Sequence, residues 1–143
     1  MSRPAFDEHA SEYDGWFMKN TAVLGSEVLL VKAALGDPGR TLSVGCGSGL
    51  FESILARDHG ITIRDGVEPA EGMATIARER GLDVKIAPAE DLPHEDGTLE
   101  TDLMNDTPGY LTDLSGAFRE AHRVLKPGGH VVVADVPASS GYG

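Results

Sequence analysis

Three glycines at every second position, Gly45, Gly47 and Gly49, and one carboxylate, Glu68, are the residues of this chain best placed to do chemistry. The glycines follow a short apolar run, Thr41-Leu42-Ser43-Val44, and a helix-like pattern begins at Leu50. Glycine has no side chain, so its backbone takes positive φ freely and lets a ligand approach closely. A glycine-rich turn between a strand and a helix N-terminus is where α/β proteins hold nucleotide-like ligands. The spacing is G-x-G-x-G. The dinucleotide fingerprint G-x-G-x-x-G needs glycine at position 50, where this chain has Leu50. The turn therefore suits a ligand without phosphates, packed on the backbone, better than a pyrophosphate. Leu50 also disfavours an NAD-binding oxidoreductase. A tight turn with no ligand is the plainer alternative.

Glu68 follows the second apolar segment, at the strand end from which a carboxylate can accept hydrogen bonds from both hydroxyls of a ribose. It reads equally as a solvated strand-end acid or as a capping partner for the helix that starts near Ala70. The loop Ala87-Pro88-Ala89-Glu90-Asp91-Leu92-Pro93 flanks the same cleft, and the backbone N–H groups of Ala89 and Glu90 can meet an adenine edge. A polar surface loop is the plainer reading there. Asn105-Asp106-Thr107-Pro108-Gly109-Tyr110 faces the position of a second substrate. Asp106 or Tyr110 has the chemistry of a base, but an ordinary Pro-Gly turn accounts for the segment as well. No catalytic residue is assigned. The five histidines (His9, His59, His94, His122 and His130) show no metal-ligand spacing, so no metal site is expected.

These residues need a scaffold of alternating strands and helices. Apolar periodicity predicts helices over 6–17 and 22–35, the second stopped by Gly36-Asp37-Pro38-Gly39. A strand over 40–44 feeds the glycine turn, and the next helix runs from Leu50 to near His59. A second strand lies within 61–67, a helix over 70–80 is capped by Gly81, and 82–87 is a third strand. A weak fourth strand covers 99–104. A helix over 113–125 is ended by Lys126-Pro127-Gly128-Gly129, and His130 opens a β-branched fifth strand over 130–136 of the kind buried in parallel sheets. Alternation of this kind gives an open parallel sheet with right-handed crossovers.

The composition agrees with that class. At 143 residues with 41% hydrophobic content, a single domain is expected. Twelve Lys and Arg against 23 Asp and Glu give a net charge of −11, which argues against nucleic acid or an anionic membrane as partner. Cys46 is the single cysteine, so no internal disulfide forms, and a cytoplasmic setting is the simplest expectation. The acidic N-terminus lacks the apolar core of a signal peptide, and no apolar run reaches membrane-spanning length.

Four segments in this order, VGCGSG, GVEPAEGM, APAEDLP and AFREAHRVLKPGGHVVVADV, resemble the class I S-adenosylmethionine-dependent methyltransferases. The group most similar is the small-molecule methyltransferases of the ubiquinone/menaquinone-biosynthesis type, and the likeness extends to the opening FDEHASEYDGWF. The resemblance implies a Rossmann-like sheet of five strands in the order 3-2-1-4-5 with helices on both faces, lacking the usual strands six and seven. It implies N-terminal helices over 1–38, a cofactor core over 40–136 and a C-terminally truncated domain. Ser43, Gly45, Cys46, Gly47 and Gly49 then pack against the methionine part of S-adenosylmethionine. Glu68 takes the ribose hydroxyls, Pro69 and Met73 flank the adenine, and Ala89 and Glu90 meet its edge. Tyr13 closes over the cofactor, and Asn105, facing the cleft, joins the cofactor-binding residues. The reaction implied is methyl transfer to a small-molecule acceptor, governed mainly by alignment. A degenerate, weakly binding interaction module is the second reading.

The pattern departs from the family at three points. Relatives usually carry an acid at the Ser43 position; serine cannot pair with a charge, an expected loss of about 1–3 kcal/mol of charge-assisted binding. Pro88 stands where an acid often contacts adenine. Strand four carries an acid where an apolar residue is normally buried. A five-stranded sheet also leaves strand five as an open apolar edge, which predicts a homodimer through that edge or coverage by further sequence.

Overall fold

The computed structural model describes residues 21–105 and 113–134. The helix expected over 6–17, with Tyr13, lies outside the described residues, as do Asp106 and Tyr110. The elements run α1 (Thr21–Leu35), β1 (Thr41–Val44), α2 (Leu50–His59), β2 (Asp65–Val67), α3 (Glu71–Glu79), β3 (Asp83–Lys85), β4 (Leu99–Asn105), α4 (Leu114–Val124) and β5 (Leu125–Ala134). All strand pairs are parallel, and the sheet order is β3-β2-β1-β4-β5, as expected.

Strand alternation divides the core. Ser43, Gly66 and Val84 stand in register across β1, β2 and β3, on the face covered by α1, α2 and α3. There Val28, Val31 and Leu35 of α1 pack with Leu50, Phe51 and Leu55 of α2 and with Leu103. Cys46, Ala74, Ala77, Leu82 and Val84 form a smaller cluster under α3. On the opposite face, Leu42, Val44, Val67 and Met104 pack against Ala117, Ala121 and Val124 of α4. The small residues at 117 and 121, one helical turn apart, let α4 lie close to the sheet. Asp113 caps α4 by accepting a hydrogen bond from the Gly116 N–H at 2.9 Å.

The sequence places a loop at Lys126-Pro127-Gly128-Gly129, whereas β5 begins at Leu125 and takes these residues into the strand. Leu99 pairs with Leu125, but Thr101 already pairs with His130, so the segment bulges opposite Glu100. Gly128 supplies a left-handed backbone at φ 83, and a Cβ on Gly129 would lie 3.0 Å from the Glu100 carbonyl oxygen. Proline and glycine punctuate this strand without ending it. Its expected last residues, 135 and 136, lie outside the described residues.

Asp102 is the buried acid expected in β4. It is fully enclosed on the α4 face, and among the described residues neither carboxylate oxygen has a hydrogen-bond partner. Burial pushes its pKa up to about 7. Its register neighbours are Leu42 and Val131. Val131 and Val133, at the sheet edge, remain 37% and 46% exposed. Because the folded protein holds this proton more tightly than the unfolded chain, stability falls as pH rises from about 4 to about 7 and is level above that. Asp102→Leu therefore gains on the order of 3–4 kcal/mol at pH 8 and flattens that window, measured by urea unfolding across the pH range.

Candidate functional site

The site is built where β1 breaks. Gly45, Gly47 and Gly49 all take left-handed backbones, at φ 69, 59 and 76. A side chain at any of the three would be strained. The turn is tied to β2: the Val67 carbonyl accepts from the N–H groups of Gly45 at 2.9 Å and Cys46 at 3.1 Å. Gly49 packs so closely on α3 that a Cβ there would lie 3.2 Å from both Ala77 Cβ and Leu82 Cδ1. At Gly47 the nearest atom to such a Cβ is Met73 Sδ at 3.5 Å. Met73 therefore sits buried beneath the turn, packed with Ala70, and Pro69 is half-buried beside it.

Glu68 is 3% exposed and joins three elements. Its Oε1 accepts from the Gly47 N–H at 2.9 Å and its Oε2 from the Ala70 N–H at 2.9 Å. The capping role read from the sequence is thus present.

Ser43 makes the hydrogen bond that a serine can offer. Its Oγ donates to Glu52 Oε2 at 2.5 Å, and both residues are buried. Glu52 lies in the first turn of α2 and reaches back under the glycine turn. Burial raises its pKa, and the Ser43 hydrogen bond opposes that. Cys46 packs beside the pair; its Sγ is the atom that a Cβ on Gly66 would meet, at 3.0 Å. Burial, and then the charges of Glu52 and Glu68, push the thiol pKa up, so it stays protonated and unreactive. Sequence reasoning missed Glu52. The available signal was its place three residues after Gly49, in the turn of α2 nearest the glycines.

Ala89 is buried in the same cluster as Val44 and Val67, at the carboxyl ends of β1 and β2, with Glu90 half-buried and Pro88 exposed beside it. Asn105 ends β4, one residue past the Met104–Val44 pair, so its backbone is level with Gly45. The sequence did not single out what holds the 87–96 loop. Arg123 of α4 donates through Nη1 to the His94 carbonyl at 2.9 Å and through Nη2 to the Leu92 carbonyl at 3.0 Å. It also pairs with Asp96 at 2.7 Å and Glu120 at 2.7 Å. Glu120 in turn accepts from the Leu92 N–H at 2.8 Å. A separate groove of about 560 Å³, lined by Pro38, Glu100, Lys126 and Gly128 among others, lies at the amino ends of the strands. It contains none of the expected site residues, and α/β sheets bind ligands at the carboxyl ends.

The turn, the acids and the 89–90 loop surround the carboxyl ends of β1 and β2. That donor set offers carboxylate oxygens to hydroxyls and to positive charge, bare backbone for close contact, and apolar walls. It fits S-adenosylmethionine. Arg123→Ala removes two backbone anchors of the 87–96 loop at a local cost of about 1–3 kcal/mol. The expected result is faster amide exchange confined to that loop, with α1 and α2 unchanged.

Among the described residues no helix is long and apolar enough to cross a membrane, and no group of side chains could hold a metal ion. A family model described as a methyltransferase domain matches residues 42–133. The chain is 36% identical to an uncharacterised protein of Methanocaldococcus jannaschii, over 94% of this chain and 62% of that one. It is 35% identical to a malonyl-[acyl-carrier protein] O-methyltransferase of Geobacter sulfurreducens, over 89% of this chain and 49% of that one. The crystal structure of a SAM-dependent methyltransferase from Thermotoga maritima superposes with a TM-score of 0.81 at 38% identity, covering 90% of this chain and 58% of that one. The chain thus spans between 49% and 62% of the length of these three proteins. The match across the sheet, the glycine turn and the α4–β5 motif places the chain in the class I S-adenosylmethionine-dependent methyltransferase family.

Proposed function

We propose that this chain is the cofactor-binding part of an S-adenosylmethionine-dependent methyltransferase acting on a small-molecule acceptor. The observation that carries the reading is Glu68, buried at the end of β2 and fixed to both the glycine turn and the start of α3. The bound cofactor supplies the methyl group, made electrophilic by a sulfonium. The protein's own work is binding and alignment. Gly45, Cys46, Gly47 and Gly49 present bare backbone to the methionine part, with Ser43 beneath them. Glu68 takes the ribose hydroxyls. Pro69 and Met73 shape the adenine side, and Ala89 and Glu90 meet the ring edge. Asn105 and Tyr13 are assigned to the cofactor by the family resemblance alone. A cytoplasmic setting suits the protonated lone cysteine. No observation favours the degenerate alternative over this reading now that Ser43 has an acid beside it.

Isothermal titration with S-adenosylmethionine is expected to show one site per chain. Glu68→Ala is expected to weaken it at least about tenfold, the value of one charge-assisted hydrogen-bonded group. No heat at high micromolar ligand would overturn the reading. A second copy paired along β5 is the assembly we propose from the exposed edge valines. Light scattering is expected to give twice the chain mass, and a monomer at tens of micromolar removes the dimer.

A further inference from the structure

We propose that the buried Ser43–Glu52 pair is a proton-coupled charge sensor beneath the glycine turn, one that favours a cationic ligand over its neutral counterpart. The inference rests on the cofactor reading above and adds the chemistry by which the substrate cofactor is told from the spent one. S-adenosylmethionine carries a sulfonium charge; S-adenosylhomocysteine, the same molecule without the methyl, does not.

The geometry is specific. Glu52 is 2% exposed and Ser43 fully enclosed, with Ser43 Oγ donating to Glu52 Oε2 at 2.5 Å. Ser43 lies two residues before Gly45, and Glu52 three residues after Gly49, so the pair bridges both ends of the turn. Ser43 stands in register with Gly66, and the space over Gly66 is filled by the Cys46 side chain. The groups that act on Glu52 come from each neighbouring element: Ser43 from β1, Cys46 from the turn, Glu68 after β2 and Arg80 after α3. Cys46 is neutral. Arg80 is exposed and its Nη1 donates to the Ser48 carbonyl at 2.9 Å. Glu68 opposes a second negative charge. Enclosure raises the Glu52 pKa and Glu68 adds to that, while the Ser43 hydrogen bond and Arg80 oppose it.

The arrival of a positive charge above the turn reverses that balance. The Glu52 O–H bond breaks, its electron pair stays on the carboxylate, Ser43 donates to the anion, and the proton leaves to buffer. A neutral ligand gives no such drive. Binding of the cationic form is therefore tied to proton release, and loss of the charge after methyl transfer weakens the hold on the product.

The test is isothermal titration of the wild type with S-adenosylmethionine and S-adenosylhomocysteine at neutral pH in phosphate and in Tris. These buffers differ in ionisation enthalpy, so the heats count protons. The expected result is more proton release with S-adenosylmethionine than with S-adenosylhomocysteine. In Glu52→Gln that difference vanishes and the preference for the cation falls about tenfold. Equal proton counts for the two ligands in the wild type overturn the proposal, as does a difference that survives Glu52→Gln. If Glu52→Gln does not fold, Ser43→Ala serves. It is expected to weaken S-adenosylmethionine several-fold more than S-adenosylhomocysteine, and equal losses overturn the idea. Glu68→Gln is expected to weaken both ligands alike, because both carry the ribose; a loss confined to the cation would assign the sensing to Glu68 and overturn the role of Glu52. Failure of the wild type to bind either ligand overturns the methyltransferase reading itself, whereas binding both without a proton difference overturns this inference alone.

Discussion

Everything at the carboxyl end of the sheet depends on Glu68. Three left-handed glycines in five residues form a backbone with little reason to hold still, since glycine has the most conformational freedom to lose. One carboxylate fixes it. Glu68 takes the Gly47 N–H with one oxygen and the Ala70 N–H with the other. The turn after β1 and the start of α3 are thereby referred to the same atom group. The Val67 carbonyl, one residue earlier, holds Gly45 and Cys46. Two consecutive residues at the end of β2 thus set the shape of a loop that belongs to β1. A site assembled this way is already organised before a ligand arrives, and less ordering entropy is lost on binding.

The three buried acids show how position decides what a carboxyl group is for. Glu68 is held by two backbone donors. Glu52 is enclosed and takes the Ser43 hydroxyl, beneath the turn where we propose that the cofactor's charge arrives. Asp102 has no donor among the described residues and lies on the other face of the sheet, under α4. Its cost is purely one of stability, and it falls on the strand next to the exposed valines of β5. The first two acids serve the candidate site. The third marks where the described part of the fold is least finished.

Much of this was legible in the sequence. The glycine turn and the placing of Glu68 follow from residue type and local spacing, because a turn's backbone and a strand's end are local events; the strand order was implied by the family resemblance. The pairing of Ser43 with Glu52 is not local. It needs α2 to fold back over β1, and nothing in the identity of either residue announces the other; Ser43 alone reads as a missing acid. The β5 start was misread for a related reason. Lys126-Pro127-Gly128-Gly129 carries every sign of a loop, and only the register against β4 shows that it is a bulge inside a strand. Arg123 was invisible because its partners are backbone carbonyls, which have no sequence signature.

That last point explains the α4–β5 motif as a physical object. The run AFREAHRVLKPGG does three jobs on three sides of one helix. Ala117 and Ala121 are small, which brings α4 close to Leu42, Val44 and Met104. Glu120 and Arg123 face the other way and grip the 92–96 segment by its backbone. The PGG bulge then lets the chain pass directly from helix to strand without an intervening loop, at a place where Glu100 and Gly129 backbones nearly touch. A larger residue at 117 or 121 would lift the helix off the sheet and pull the loop with it. The segment that carries Ala89 and Glu90 towards the site is therefore positioned by residues nearly thirty positions later, through a helix that itself need never meet the ligand.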